Sequence, residues 1–520
     1  MKIYIIIPAL LMVCFLMPSC EKFLSTTPQD FLSTPNYYET EEHLQTALNG
    51  VYSRLQQDAL YGANLWSYYD IADEFYWSMT NVTQTAPDIA IYRHSPSDAQ
   101  VRVLWQTCYK GIGDANMLIA NINKPIMDEQ RRSTILGEAL FLRAYYYFLL
   151  VSNYGKVPMP LEPVTSPAGN DMPASSIREV YDQIIQDMEI AETLVLPIQD
   201  IGFGGRISKS AVRGILARVN LYMAGYPLQD ESRFAETVRW ARMLINDPVH
   251  RLNPDYTDIF LRYARDEYDI GESIWEVEFW GNRADAYVSS GRLGSRNGIE
   301  MRNNDFLDEI GFAYGQISAV GRLYRRYENG DVRRDWAIAP FRFASNGTEN
   351  PWNANQLYER NCGKWRRKPE LVIPKNRNFT PQNFPILRYA DVLLMYAEAV
   401  NELLGPEEAL PALNQVRARA NASLYIGANA ITNPDVFREV LREERSRELC
   451  FEALRKMDLI RWGIFSDTMF WLGIEIAGEV PASRIYAPYA AQNVSTRHLL
   501  YPIPTYELSL NRSLEQNPNW

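Results

Sequence analysis

From Ala139 to Val151 the chain runs Ala-Leu-Phe-Leu-Arg-Ala-Tyr-Tyr-Tyr-Phe-Leu-Leu-Val, with Arg143 as its single charge. As a helix this segment is apolar on nearly every side, so other helices must surround it. The pattern predicts a helix over Asp128–Tyr154, stopped by Gly155 and Pro158. Its neighbours are sought by period. Glu41–Gln57 carries Leu44, Leu48, Val51 and Leu55, spaced four, three and four, which is one helical face. Trp105–Asn123, Ser176–Val195, Ser208–Gly225 and Glu231–Asn246 continue the series, with Gly- or Pro-bearing connections. Paired helices of this length, with Ala, Tyr and Gly for close contacts, predict a mainly α, tetratricopeptide-like stack.

The helical period lapses between residues 251 and 383. Glu272–Phe279 alternates and predicts a short strand. The rest is rich in Gly, Asn, Arg and aromatics, an irregular, loop-dominated region of the kind that carries binding on a rigid scaffold. Helices return at Pro385–Leu404, Glu407–Asn421 and Pro434–Trp462. The last is read as one long helix supported by the i,i+4 pairs Glu443/Arg447 and Glu452/Lys456. Ala487–Trp520 is extended and Pro-punctuated.

The amino terminus predicts export. Lys2 precedes an apolar run from Ile3 to Phe15, and Leu16-Met-Pro-Ser-Cys20 follows. The run falls short of the roughly 20 residues of a transmembrane helix and reads as a secretory signal. The small Ser19 before Cys20 resembles a lipobox, in which the cysteine thiol is acylated. The expected organisation is a signal peptide at 1–19, a surface tether at 20–40, an N-terminal helical part at 41–250 and a C-terminal part at 251–520 with the loop-rich insertion 251–383. Cys108, Cys362 and Cys450 remain, with no C-x-x-C spacing, so neither a zinc site nor a disulfide framework is indicated.

A net charge of −11 repels a phosphate backbone, which argues against nucleic acid as a partner. The four His include no H-E-x-x-H pair, and no G-x-S-x-G elbow or P-loop occurs. No catalytic residue, metal ligand or cofactor site is assigned. A pair of carboxylates on a helical scaffold keeps glycoside hydrolysis as an alternative.

Several segments in order resemble the SusD/RagB family of the Bacteroidetes outer membrane. They are Cys20-Glu-Lys-Phe-Leu24, Ala47–Tyr52, Glu138–Tyr147 with Tyr154-Gly155, Ile207-Ser-Lys209 before Leu216–Tyr222, Ile386–Ala399, Glu444–Glu452 with Asp458–Gly463, and Leu500–Pro504 with Gln516-Asn-Pro518. Ala453 stands where the family usually has Gly, and Ser210 likewise departs after Ile-Ser-Lys. The resemblance implies a helical stack carrying an irregular ligand-binding region. It also implies a surface lipoprotein that captures a glycan and acts as a lid for a SusC-like TonB-dependent transporter; a peptide-binding branch of the family is the alternative. The charged residues of these motifs, among them Arg388, Asp391, Glu398, Glu444 and Glu448, are read as structural ion pairs.

A sugar offers apolar C–H faces and a rim of hydroxyls, so flat rings and in-plane polar groups on loops are the expected contacts. Two stretches fit. One runs from Trp66 to Asp70 and on through Glu74–Trp77 and Asn81. The other runs from Trp280 through Asp285 and Tyr287 to Arg292, Arg296 and Asn297. From these, Trp280 and Tyr287 are expected to stack on the ligand with Trp77 opposite, and Asn282 and Arg283 to bond hydroxyls.

Overall fold

The computed structural model describes residues 37–79, 85–164, 166, 169, 171–284 and 289–520. The expected signal peptide, the acylated Cys20 and most of the tether lie outside the described residues. The remainder of the tether, from Tyr37 to Thr40, is a turn before the first helix.

Helix α1 (Glu41–Ser53) is followed by α2 (Ala99–Asn121), α3 (Glu129–Tyr154), α4 (Ile177–Leu194), α5 (Lys209–Ala224), α6 (Arg233–Ile245) and α7 (Tyr256–Arg265). The later helices are α8 (Tyr389–Leu404), α9 (Pro406–Arg419), α10 (Pro434–Leu449), α11 (Arg455–Arg461) and α12 (Phe465–Glu479). Their starts are legible in local chemistry. Asp98, Asp128 and Ser208 accept hydrogen bonds from Gln100, Arg131 and Ala211 amides, and Ser176 forms a capping box with Glu179. Ser208 is the serine of the Ile-Ser-Lys segment, so that motif is a cap. Gly155, at φ +74°, ends α3 in a conformation that disfavours a Cβ.

α1 packs on α2 and α3. α3 lies between α2 and α4, α4 touches α5, α5 touches α6, and α6 packs on α8, which contacts α9 and α10. The stack thus continues across the loop-rich excursion. α3 is long and apolar enough by composition to cross a membrane, but 89% of its apolar window is buried inside the fold. The one charge of its Ala139–Val151 run is answered. Arg143 grips both carboxylate oxygens of Asp187 on α4 at 2.7 and 2.8 Å and also donates to Asn116 and the Leu161 carbonyl.

The six strands among the described residues are short. β1 (Phe75–Trp77) pairs with β3 (Ile317–Ala319), β2 (Ser273–Val277) with β6 (Phe384–Arg388), and β4 (Phe341–Phe343) with β5 (Glu349–Pro351), all antiparallel. The predicted strand at 272–279 is therefore present, and it is buried throughout rather than on one face. The helix predicted from Pro385 begins only at Tyr389, because Phe384–Arg388 is taken up as the partner of β2.

The long helix predicted over 434–462 is interrupted after Leu449. Phe451 and Ala453 take φ +64° and +60°, the left-handed region, and the helix restarts at Arg455. Ala453 thus occupies a backbone conformation that glycine takes with less strain, which accounts for glycine at this place in the family pattern. The expected i,i+4 ion pairs do not form. Glu443 pairs with Arg326, Arg447 with Glu444, and Glu452 with Lys364 and Arg388, while Lys456 reaches the Tyr501 hydroxyl at 3.0 Å. Glu443, Glu452 and Lys456 take partners from distant segments, while Arg447 takes one a helical turn away.

The charged motifs of the C-terminal half meet in the core. Glu448 is shared by Arg333 (3.1 Å), Arg388 (3.0 Å) and Arg419 (2.6 Å). Glu444 joins Arg333 and Arg417, while Asp391 bridges Arg218 and Arg445. Burial alone would push the Glu448 carboxyl up, but Arg419, Arg388 and Arg333 override it and hold it well below the ordinary range. These are structural ion pairs, as expected.

Candidate functional site

The cavities inside this fold differ in what they offer. The space beneath Tyr69, Asp70, Arg218 and Lys456 is about 60 Å³, room for water only. A cleft of about 470 Å³ beside α10 and α12 is lined by charges that already pair across it, Arg322 with Glu475 and Arg326 with Glu443. It presents no aromatic face. Rings that are open and bordered by spare donors occur instead where three loops converge.

The first loop follows α1. The second leaves β2 at Phe279, whose amide donates to Asn383 at 2.8 Å, and carries Trp280 outward with 47% of its surface exposed. The third is the stretch from Pro374 to Thr380. Backbone bonds tie them together: Arg292 N–H donates to the Gly62 carbonyl at 2.9 Å, Gly291 and Thr380 exchange bonds, and Ser295 Oγ donates to the Asn378 carbonyl at 2.7 Å. A helical turn over Leu293–Asn297 stands at the junction.

Two rings and three arginines make up the surface here. The Arg283 and Arg292 guanidinium carbons lie 3.6 and 4.4 Å from the centre of the half-buried Phe379 ring. One helical turn beyond Arg292, Arg296 lies over the half-buried Tyr68 ring at 5.4 Å. Burial pulls the Arg283 and Arg296 pKa values down, and repulsion from Arg292 adds to it. Among the described residues, one carboxylate, Asp58, is within ion-pair distance of the three, 3.1 Å from Arg292.

The structure sorts the expected contact residues. Trp280 is exposed. Arg283 is exposed and donates to Ser290 Oγ at 3.1 Å, leaving most of its N–H groups open. Asn282 is 8% exposed, donates to the Pro374 carbonyl and accepts from the Ala284 amide, so its amide fixes the loop. Trp77, expected opposite Trp280, is 3% exposed. It lies in β1 opposite Ile317, its ring 5.6 Å from that of Tyr68, so it backs the shelf and does not face solvent. Pairing of β1 with β3 forces this, a constraint invisible in the local pattern. Tyr287, Asp285 and Asn81 lie outside the described residues. Phe379 was missed: its signal is a lone aromatic in the polar loop Asn376-Arg-Asn-Phe-Thr380.

Among the described residues no group of His, Cys, Asp or Glu is arranged to hold a metal ion. Cys108, Cys362 and Cys450 are buried free thiols, each pushed up by burial.

A stack of helices carrying an open, loop-built aromatic shelf defines a helical scaffold protein with a candidate surface site. Comparison narrows the class. Residues 22–221 match a family described as starch-binding associating with outer membrane, and residues 316–520 match the SusD family. The chain belongs to the SusD/RagB family. SusD-like protein P25 of Formosa agariphila is 26% identical, the match covering 96% of this chain and 95% of that protein. The starch-binding protein SusD of Bacteroides thetaiotaomicron is 22% identical over 86% of this chain and 83% of its own. A crystal structure of a SusD homolog from the same organism superposes with a TM-score of 0.85 at 27% identity, covering 94% of this chain and 98% of that one.

Proposed function

We propose that this protein is a non-catalytic, lipid-anchored receptor on the outer-membrane surface that captures a glycan on the loop shelf and passes it to a SusC-like TonB-dependent transporter. The observation that carries the reading is the shelf itself. Trp280 offers an exposed ring on the same loop as Arg283, and Phe379 and Tyr68 are bordered by guanidinium donors that the protein leaves largely unused. Rings match the C–H faces of a sugar, and in-plane N–H groups match its hydroxyls. The relative named for starch binding supports a glycan over a peptide as ligand.

Binding without turnover is part of the same reading, supported by a relative named for binding. Glycoside hydrolysis needs two carboxylates flanking one bond, roughly 5–10 Å apart. Among the described residues the three shelf arginines meet one carboxylate, Asp58. Glu276, the nearest strand carboxyl in sequence, is buried beneath Gly204 and held by Ser273 and Asn383. Of the expected ligand contacts, Trp280 and Arg283 serve directly in this reading. Asn282 shapes the loop, Trp77 supports Tyr68, and Tyr287 is assigned to stacking on its sequence position alone.

Calorimetry and product analysis with a panel of labelled oligosaccharides test the reading together. Binding without cleavage is the expected result, and Trp280→Ala should weaken it by roughly 1–3 kcal/mol, the effect of removing a stacking anchor. Steady product release would replace this reading with the hydrolase one. Anchoring is tested by Cys20→Ala, which should release the protein from the membrane fraction. Partnership is tested by mild-detergent purification, which should recover a β-barrel protein with it.

A further inference from the structure

We infer that the ligand of the shelf is an anionic glycan, one bearing carboxylate or sulfate groups, and that Arg283, Arg292 and Arg296 receive those groups. This deepens the glycan-binding reading and rests on it. The protein as a whole is acidic, with a net charge of −11, yet three guanidinium groups are gathered on this one surface. Arg283 and Arg292 share a single ring, Phe379, and Arg296 follows Arg292 by one helical turn. Mutual repulsion is visible in the pKa values of Arg283 and Arg296, both drawn down by burial and by Arg292. A neutral hydroxyl can accept from such a donor, but only an anion also offsets the repulsion among three gathered positive charges.

Several of the donors also have no acceptor among the described residues. A guanidinium carries five N–H groups. Among the described residues, Arg292 uses Nε on Asp58, Arg296 uses Nη1 on Asn64, and Arg283 reaches Ser290. Stacking on aromatic faces holds the guanidinium planes without consuming those edges, and a planar fork matches a carboxylate or sulfate in two parallel hydrogen bonds. The exposed Trp280 on the same loop supplies a face for the neutral part of the sugar.

The test uses the mature full chain and affinity electrophoresis or calorimetry. The probes are oligosaccharides of polygalacturonate for carboxylate, carrageenan for sulfate, and laminarin and starch as neutral controls. One acidic probe is expected to bind, more weakly as salt rises from about 0.05 to about 0.5 M, where screening shortens to a few ångströms. Arg292→Ala and Arg296→Ala should each weaken it about tenfold or more, as truncating one partner of a close charge pair does. Arg292→Lys should recover part of that, since it keeps the charge and loses the fork. The exposed Arg283→Gln provides a variant that leaves the core untouched, and thermal melts confirm that each variant is folded. Carboxylate and sulfate sources separate by which acidic probe binds. Binding of laminarin or starch alone, unaffected by Arg292→Ala, overturns the anionic inference and leaves the glycan reading standing. Retention of no probe overturns both.

Discussion

Arg388 and Arg292 carry the same guanidinium into opposite surroundings. Arg388 sits at the end of β6, 1% exposed, and all five of its N–H groups are engaged by Glu272, Glu448, Glu452 and the Glu448 carbonyl. Arg292 lies on the loop shelf, stacked on Phe379, with Asp58 as its one carboxylate. The first is a closed account of charge: every donor has its acceptor inside the fold, and nothing is left for a ligand. The second is open. Counting partners, and not merely noting that an arginine is present, sets the structural arginines of this protein apart from those proposed to bind a ligand. In the core, Arg333, Arg417, Arg445 and Arg461 fall with Arg388, each meeting at least two carboxylates.

The contrast is broken most directly by unpairing the core. Glu448→Ala removes an acceptor from Arg333, Arg388 and Arg419 at once and leaves buried positive charge uncompensated. Loss of a buried partner in this way typically destabilises by about 3–5 kcal/mol. Denaturant unfolding followed by circular dichroism should show a loss of that size, or no folded protein. A loss below about 1 kcal/mol, the scale of an exposed pair, would mean that the core arginines are as replaceable as those of the shelf.

A smaller effect comes from Glu276, a core carboxylate without an arginine partner among the described residues. Burial pushes Glu276 up to about 8, with the carboxylates of Glu278 and Asp266 adding to it. The folded chain therefore keeps this proton where the unfolded chain, with its ordinary value of 4.5, has lost it. The fold binds more protons between those two values, so stability is fully present below the lower one and declines as pH rises towards the upper. Glu276→Gln keeps a neutral group beside Ser273 and Asn383 and removes the titration. Melting curves between about pH 5 and about pH 9 should fall less steeply in the variant, by on the order of 1–3 kcal/mol across the window. Identical slopes would show Glu276 to be ionised in the fold and stabilised by something other than its neighbours here.

How much of this was readable beforehand depends on the distance over which each feature is decided. The central helix, its N-cap at Asp128 and its stop at Gly155 are written within a few residues of themselves. That Arg143 had to be paired was also legible, but Asp187, 44 residues on, could not be named. β6 was taken for helix because its partner, β2, is more than a hundred residues earlier and Ile386–Arg388 reads equally well in either period. The break at Phe451–Ala453 was hidden because neither residue is a glycine. At the shelf, Trp280 and Arg283 were found from composition, since a ring among polar residues is a local signal. Trp77 has similar neighbours in sequence and is buried, because strand pairing decides its exposure. Phe379 joins the shelf through long-range bonds to its loop, among them those of Ser295, Gly291 and Asn282.

The smallest expected effect sharpens the comparison from the shelf side. Asp58→Asn deletes the internal counter-ion of Arg292, the same kind of change as Glu448→Ala in the core. The Asp58 side chain is 52% exposed and Arg292 27%, so water replaces the lost carboxylate at little penalty. Stability should move by no more than about 0.5 kcal/mol, the range of a surface pair. The released guanidinium then faces the ligand without a competitor, so the affinity for an acidic oligosaccharide should rise modestly while that for a neutral one stays the same. A stability loss comparable to that of Glu448→Ala would place Asp58 and Arg292 among the structural pairs and remove Arg292 from the site. A fall in acidic-ligand affinity would show instead that Asp58 holds the Arg292 fork in its binding orientation, a positioning role that leaves the shelf as the site.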